Sequence, residues 1–215
     1  MAGNNWSAPM LLDLKQLSSN NSYHLMTQVI VPRPIAWVLS ANDDGGLNLA
    51  PFSFFNAVCS DPPIVMLSIG QKTADEPKDT RRNLLSGRDF VIHLPGLEQA
   101  QDVTASAATL PYETSELDLL QDQQLVEFPG CPLPRLNNAP VAFQARLHDV
   151  HYLGAQQQAV IYAELLQVYI RDALVQVDEQ KQRYTINAAQ LNPLARLGGA
   201  QYSGLSGVFS IKRPD

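Results

Sequence analysis

An antiparallel β-barrel, closed or split, is the fold class that this 215-residue sequence predicts. Three observations predict it. Runs rich in Val, Ile, Leu and Phe are bounded by Pro and Gly; their connections are too short for parallel crossovers; and about six long ones recur at a spacing that favours a barrel over an open sheet. Two β-rich blocks flank a helix-compatible insert.

Taken in order, residues 1–26 read as an N-terminal extension and 27–215 as a single domain. "VPRPIAWVLS" and "PPIVMLSIG" are strand-like, and "NDDGG" at 42–46 is a hairpin turn because Asp and Gly tolerate positive φ. After the polar loop "GQKTADEPKDT", the stretch "TRRNLLSG" predicts a short helix capped by Asp79 or Thr80 and ended by Gly87. "DFVIHLP" is the next strand. "EQAQDVTASAA" and "SELDLLQDQ" are helix-compatible, and "FPGCPLPRLNNAP" is a proline-rich surface loop. "VAFQARLHDVHYLG" and "AVIYAELLQVYIRDALV" alternate as half-buried strands, the second long enough to bulge, and the tail "NPLARLGGAQYSGLSG" is mostly irregular.

Composition excludes several functions. A formal charge of -6 argues against a phosphate-backbone binder, so no nucleic-acid partner is expected. No run approaches the about 18 consecutive apolar residues of a membrane span, and "MAGNNWSAPMLLDL" lacks the charged and apolar regions of a signal peptide. A cytoplasmic protein with no membrane partner is expected. Cys59 and Cys131 have no metal-ligand spacing to the four histidines and read as reduced, structurally minor thiols.

Few residues form a recognisable constellation. Neither a dinucleotide fingerprint nor a P-loop is present. No metal set, Ser/His/Asp triad or glycosidase carboxylate pair emerges, so no residue is assigned as catalytic. His93, with apolar neighbours, reads as a satisfied core or interface histidine; His148 and His151, three apart, are expected on opposite strand faces. "KDTRRNL" brings Lys78, the Thr80 hydroxyl and a helix start together, which is either an ordinary solvated cap or a phosphate site. "NLAPFSFFNA" at 48–57 has no clean alternation, and Pro51 cannot donate to a ladder. It is either a barrel corner packed by aromatics or the wall of a site for a planar heteroaromatic ligand. Arg33 and Arg196 could each meet a phosphate or be plain surface arginines.

Taken together, R-P-I-A at 33–36, N-L-A-P-F-S-x-F-N at 48–56, D-P-P at 61–63, K-D-T at 78–80 and R-L-G-G-x-x-Y at 196–202 resemble, in order and spacing, the flavin reductase-like, FMN-binding split-barrel family that includes flavoredoxin. The resemblance covers roughly residues 27 to 203. It implies a six-stranded antiparallel split barrel with a few short helices, usually a homodimer, holding FMN near the subunit interface. Carried over by position, Pro51, Phe52, Ser53 and Asn56 would lie along the isoalloxazine and ribityl chain, and Lys78, Asp79 and Thr80 would form the phosphate end. Arg33, Arg196 and Tyr202 match motif positions too. Cys59 and His93 stand where family members often have Ser and Asn.

The function so implied is an NAD(P)H-dependent flavin reductase, in which hydride passes to flavin N5 and electrons go on to an oxygenase or another electron-accepting protein. The cofactor carries that chemistry, which accounts for the lack of a protein nucleophile or metal site. The alternatives are a flavoredoxin-like FMN electron carrier reduced by a protein partner, and a split-barrel binding module without redox activity.

Overall fold

The computed structural model describes residues 10–121, 124–181, 183–212 and 214. The start of the chain examined for a signal peptide falls largely on residues 1–9, outside the described residues. Helix α1 (Ser19–Val29), capped by the Ser18 hydroxyl accepting from Asn21 N, leads into a short strand β1 (Arg33–Pro34). Then follow β2 (Ala36–Ala41), β3 (Leu47–Phe52), β4 (Phe55–Ser60), β5 (Pro63–Ile69), helix α2 (Asp79–Leu85), β6 (Phe90–Leu94) and helix α3 (Ala100–Ala105). Short strands β7 (Leu125–Val126) and β8 (Arg135–Leu136) precede the two long ones, β9 (Val141–Leu153) and β10 (Gln158–Ile170). The chain ends with β11 (Val175–Asp178), β12 (Arg183–Ile186), β13 (Ala195–Arg196) and β14 (Tyr202–Ser203).

Among the described residues the main sheet is antiparallel and has seven strands, in the order β3-β2-β6-β9-β10-β5-β4. The expected barrel class holds, but with one strand more than the six expected. The extra strand arises because "NLAPFSFFNA" is not one strand: the chain leaves β3 at Phe52 and starts β4 at Phe55, on the opposite edge of the same sheet. Consecutive strands can occupy opposite edges only if the sheet curls until its edges meet, and β3 does touch β5 across the seam. The barrel is therefore closed by packing rather than by a continuous ladder, which makes it split.

Two cores result. Ala36, Val38, Phe52, Leu67, Ile92 and Ile161 fill the barrel, with Leu84 of α2 plugging it. Trp37, Leu39, Leu49, Val91, Phe128 and Leu136 form a second core between the outside of the barrel and the 124–140 segment. Strand β2 is thus buried on both faces, which is why "AWVLS" shows no polar alternation. Edge strand β3 is covered by the turn at 115–119: Ser115 Oγ donates to Leu47 O (2.5 Å) and Leu49 N donates to Glu116 Oε2 (3.0 Å). Burial pushes the Glu116 carboxyl up, and nearby Asp79 adds to the effect.

The structure corrects some details. Strand β10 ends at Ile170, because "DAL" at 172–174 turns into a 3-10 helix. The bulge expected in the second long strand occurs, at the shift between Leu165 and Gln167, and a further, unexpected shift falls between Tyr162 and Ala163. The latter, on β9, skips His148 and reverses the parity, so that Leu147 and Val150 both pack inward. His148 and His151 therefore share the outer side, His148 facing Glu164 (3.9 Å) and His151 facing Asp149 (3.4 Å). Neither Asp79 nor Thr80 caps α2: the N-cap is Lys78, and Thr80 points inward, its Oγ1 accepting from Asn48 Nδ2 (2.8 Å).

Candidate functional site

The seam of the barrel is also where a cleft opens. At Ser53 and Phe54 the strand pairing stops; Phe54 O accepts from Ser68 N (2.9 Å), and this single bond bridges toward β5. Pro51, Phe52, Ser53 and Phe54 form one wall of a cavity of about 880 Å³. Its other sides are α1 (Ser19, Asn20, Tyr23), the 70–74 loop with Lys78, and the β9–β10 turn at 155–158. A smaller cavity of about 140 Å³ adjoins it, sharing Pro51, Phe52, Lys72 and Lys78 and adding Asn48, Asp79, Thr80 and Glu116.

The donor set is that of a site for a flat, polar-rimmed molecule with an anionic end. Phe52 and Phe54 supply apolar surface, and Ser53, Ser68 and Gln158 supply rim hydrogen-bonding groups. Positive charge sits at one end. The Lys78 ammonium stands 5.7 Å over the Phe52 ring, and burial lowers its pKa. Lys72 Nζ donates to Asp79 Oδ2 (3.2 Å) and Leu110 O (2.7 Å). Because the Asp79 carboxylate already occupies the first turn of the seven-residue α2, lysine charge rather than the helix end is what this region offers an anion.

Pro51, Phe52, Ser53 and Lys78 therefore come together on the large cleft, and Asp79 and Thr80 line its small neighbour. Asn56 lies on the exposed face of β4, its Oδ1 accepting from Ala57 N. Arg33 is buried behind the wall: Nε donates to Ser53 Oγ (3.3 Å), one terminal nitrogen to Thr27 O (2.6 Å) and Ile30 O (2.7 Å), the other to Leu197 O (2.9 Å). Arg196 pairs in register with Arg33 and stacks on Tyr202 at 4.4 Å, and the Tyr202 hydroxyl donates to Thr104 Oγ1, whose own proton goes to Ala100 O. In the R-L-G-G run, a Cβ at Gly198 would come within 2.5 Å of Gln28 Cγ, and Gly199 has φ +58. That motif ties the tail to α1 and, through Arg33, to the cleft wall.

Sequence reasoning missed Lys72, Gln71 and Tyr23 as lining residues. Lys72 had a signal, standing six residues before Lys78 in one polar loop; Tyr23 had none, because it lies in the stretch read as an extension. His93 is a satisfied core residue, as expected. Cys59 and Cys131 are free thiols. Among the described residues no cluster of three or more His, Cys, Asp or Glu could hold a metal, and no helix is long and apolar enough to cross a membrane.

Comparison with known proteins gives a consistent set. A family model described as "Flavin reductase like domain" matches residues 26–186. The uncharacterized protein YwrF of Bacillus subtilis is 33% identical over 202 residues, covering 93% of this chain and 96% of that one. Nitrilotriacetate monooxygenase component B from Bacillus cereus superposes with a TM-score of 0.85 at 28% identity, over 95% of this chain and 100% of that chain. The 2-nitrobenzoate 2-nitroreductase NbaA from Pseudomonas fluorescens does so with a TM-score of 0.82 at 26% identity, over 95% of this chain and 96% of that chain.

Proposed function

Because the chain belongs to the flavin reductase-like family, we propose that it is an FMN-binding NAD(P)H:flavin oxidoreductase that passes electrons to a downstream acceptor. The observation that carries this reading is the cleft at the barrel seam, of about 880 Å³, with an aromatic and hydroxyl-bearing wall and lysine at one end. Such a donor set fits FMN, whose ring needs flat apolar contact with hydrogen-bond partners on its rim and whose phosphate needs cations. When bound, the flavin supplies the hydride-accepting and electron-donating chemistry.

In this reading Phe52 and Phe54 cover the ring, and Ser53, fixed by Arg33 Nε, orients one edge of it. Lys78 stands at the phosphate end, with Asp79 and Thr80 of the same motif behind it on the small cavity. Asn56, Arg196 and Tyr202 would meet the cofactor only across a subunit interface. The apolar surface exposed by Met26, Val29, Ile30 and Val58 supports a homodimer that supplies one. The partner protein is an oxygenase or another electron acceptor, a reading supported by the Bacillus cereus relative, which is named as one component of a monooxygenase.

The absorbance spectrum of the purified protein, with and without added FMN, is the first test. Stopped-flow mixing with NADH and with NADPH is the second, and bleaching by at least one nicotinamide on the turnover timescale is expected. Bleaching by a protein donor alone would make the protein an electron carrier instead. Lys78→Ala is expected to weaken FMN binding about 10- to 100-fold in a fluorescence-quenching titration, with little change in thermal stability. Unchanged affinity would remove Lys78 from the phosphate end.

A further inference from the structure

We propose that Lys72 is a second phosphate-binding cation beside Lys78, and that Asp79 is a positioning residue that holds Lys72 rather than a contact to the phosphate. The inference rests on the FMN reading above and adds a residue outside the K-D-T motif.

Lys72 lines both cavities, as Lys78 does, so the two ammonium-bearing chains converge on the junction next to Phe52. An ammonium has three N–H donors. On Lys72 one is directed to Asp79 Oδ2 and another to Leu110 O, while Glu76 stands at 4.0 Å with its carboxylate half-exposed. These two close acceptors pin a chain that is otherwise rotamer-rich, and one donor is left for a ligand. Its side chain is only 15% exposed, so its charge is poorly hydrated and gains from a second anion.

Asp79 is unsuited to touch a phosphate itself. Its carboxylate is buried, Oδ1 has no partner in the structure, and an ionised carboxylate only accepts hydrogen bonds. The Thr80 hydroxyl is 1% exposed and engaged by Asn48 Nδ2, so it supports β3 from behind. The other acid on the small cavity, Glu116, is held by Leu49 N, and burial favours its neutral form, which limits its opposition to an anion. Asp79 and the half-exposed Glu76 are the carboxylates within 4.0 Å of Lys72, and Lys78 is paired with neither.

FMN and riboflavin differ by the phosphate alone, so the pair isolates this subsite. Fluorescence-quenching titrations of both flavins would be run on the wild type, Lys72→Met, Lys72→Arg and Asp79→Asn. Lys72→Met is expected to weaken FMN about 10- to 100-fold, leave riboflavin within about 2-fold, and flatten the salt dependence of FMN binding. Lys72→Arg should restore most of the loss. Asp79→Asn should weaken FMN selectively, because the unanchored Lys72 swings away; a carboxylate acting only as a nearby negative charge would give tighter FMN binding when removed. A wild-type FMN-to-riboflavin affinity ratio in Lys72→Met, or tighter FMN in Asp79→Asn, overturns the proposal. Binding of neither flavin by the wild type would instead remove the FMN reading on which it rests.

Discussion

Replacing Arg33 by Met is expected to destabilise the protein by about 3–5 kcal/mol and to abolish the cleft wall with it. The guanidinium is buried and makes four hydrogen bonds, to Ser53 Oγ and to the carbonyls of Thr27, Ile30 and Leu197. Methionine keeps the volume of the stem but leaves three carbonyls short of a donor: the buried Thr27 O costs about 1–3 kcal/mol, and the part-buried Ile30 and Leu197 carbonyls less. These carbonyls belong to the end of α1 and to the R-L-G-G turn, so three otherwise separate pieces lose their common anchor. Urea denaturation followed by circular dichroism checks the stability, with a fall in midpoint of more than about 1 M expected. Lys, which cannot span the four partners with one compact ammonium, should recover only part of it. A loss below about 1 kcal/mol would show that α1 and the tail dock independently of Arg33.

His93 is expected to make the fold acid-sensitive in a defined window. Leu136 N can only donate, so His93 Nε2 accepts from it (3.0 Å), and the proton sits on Nδ1, which donates to Trp37 O (3.0 Å). Burial pushes the pKa down to about 4, against the Trp37 carbonyl, which favours the charged form; Arg135 lowers it a little further. In the unfolded chain the ring takes a proton near pH 6.5, while the folded protein stays neutral until about pH 4. The unfolded state thus binds more protons between those values, and stability falls as pH drops through the window, by up to about 3 kcal/mol. Above pH 6.5 the full stability is present. Unfolding free energies measured from pH 7.5 to 4 on wild type and His93→Gln test this, because a side chain that does not titrate removes the His93 share of the slope. Identical pH profiles would exclude His93 as the source. Since His93 docks the 124–140 segment onto β6, hydrogen-exchange protection at Leu136 should be lost early on acidification.

Much of the architecture was legible because it is local. The N-D-D-G-G hairpin, the Gly after α2 and the apolar runs of β2, β5, β6, β9 and β10 depend on φ preference and on side-chain spacing within a few residues. The site was legible in part: the failed alternation and Pro51 marked Pro51–Phe54 as a break in pairing, and a break exposes backbone and aromatic surface. Helix α1 left no such trace. Its polar sequence buries only Thr27 among its eleven residues, so no apolar stripe announces it, although Tyr23 ends on the cleft.

Sequence motifs sufficed to identify the barrel class and the family, because strand spacing, turn chemistry and motif order are all written along the chain. Which of the motif residues face the cleft was decided only by tertiary structure. Arg33 and the R-L-G-G turn share motif status with Ser53 but stand behind it as its support, and Lys72, outside every motif, stands beside Lys78. The reason is geometric: curling the sheet brings β3 and β4 to one seam and sets which residues from distant segments converge there, and no local preference records that convergence.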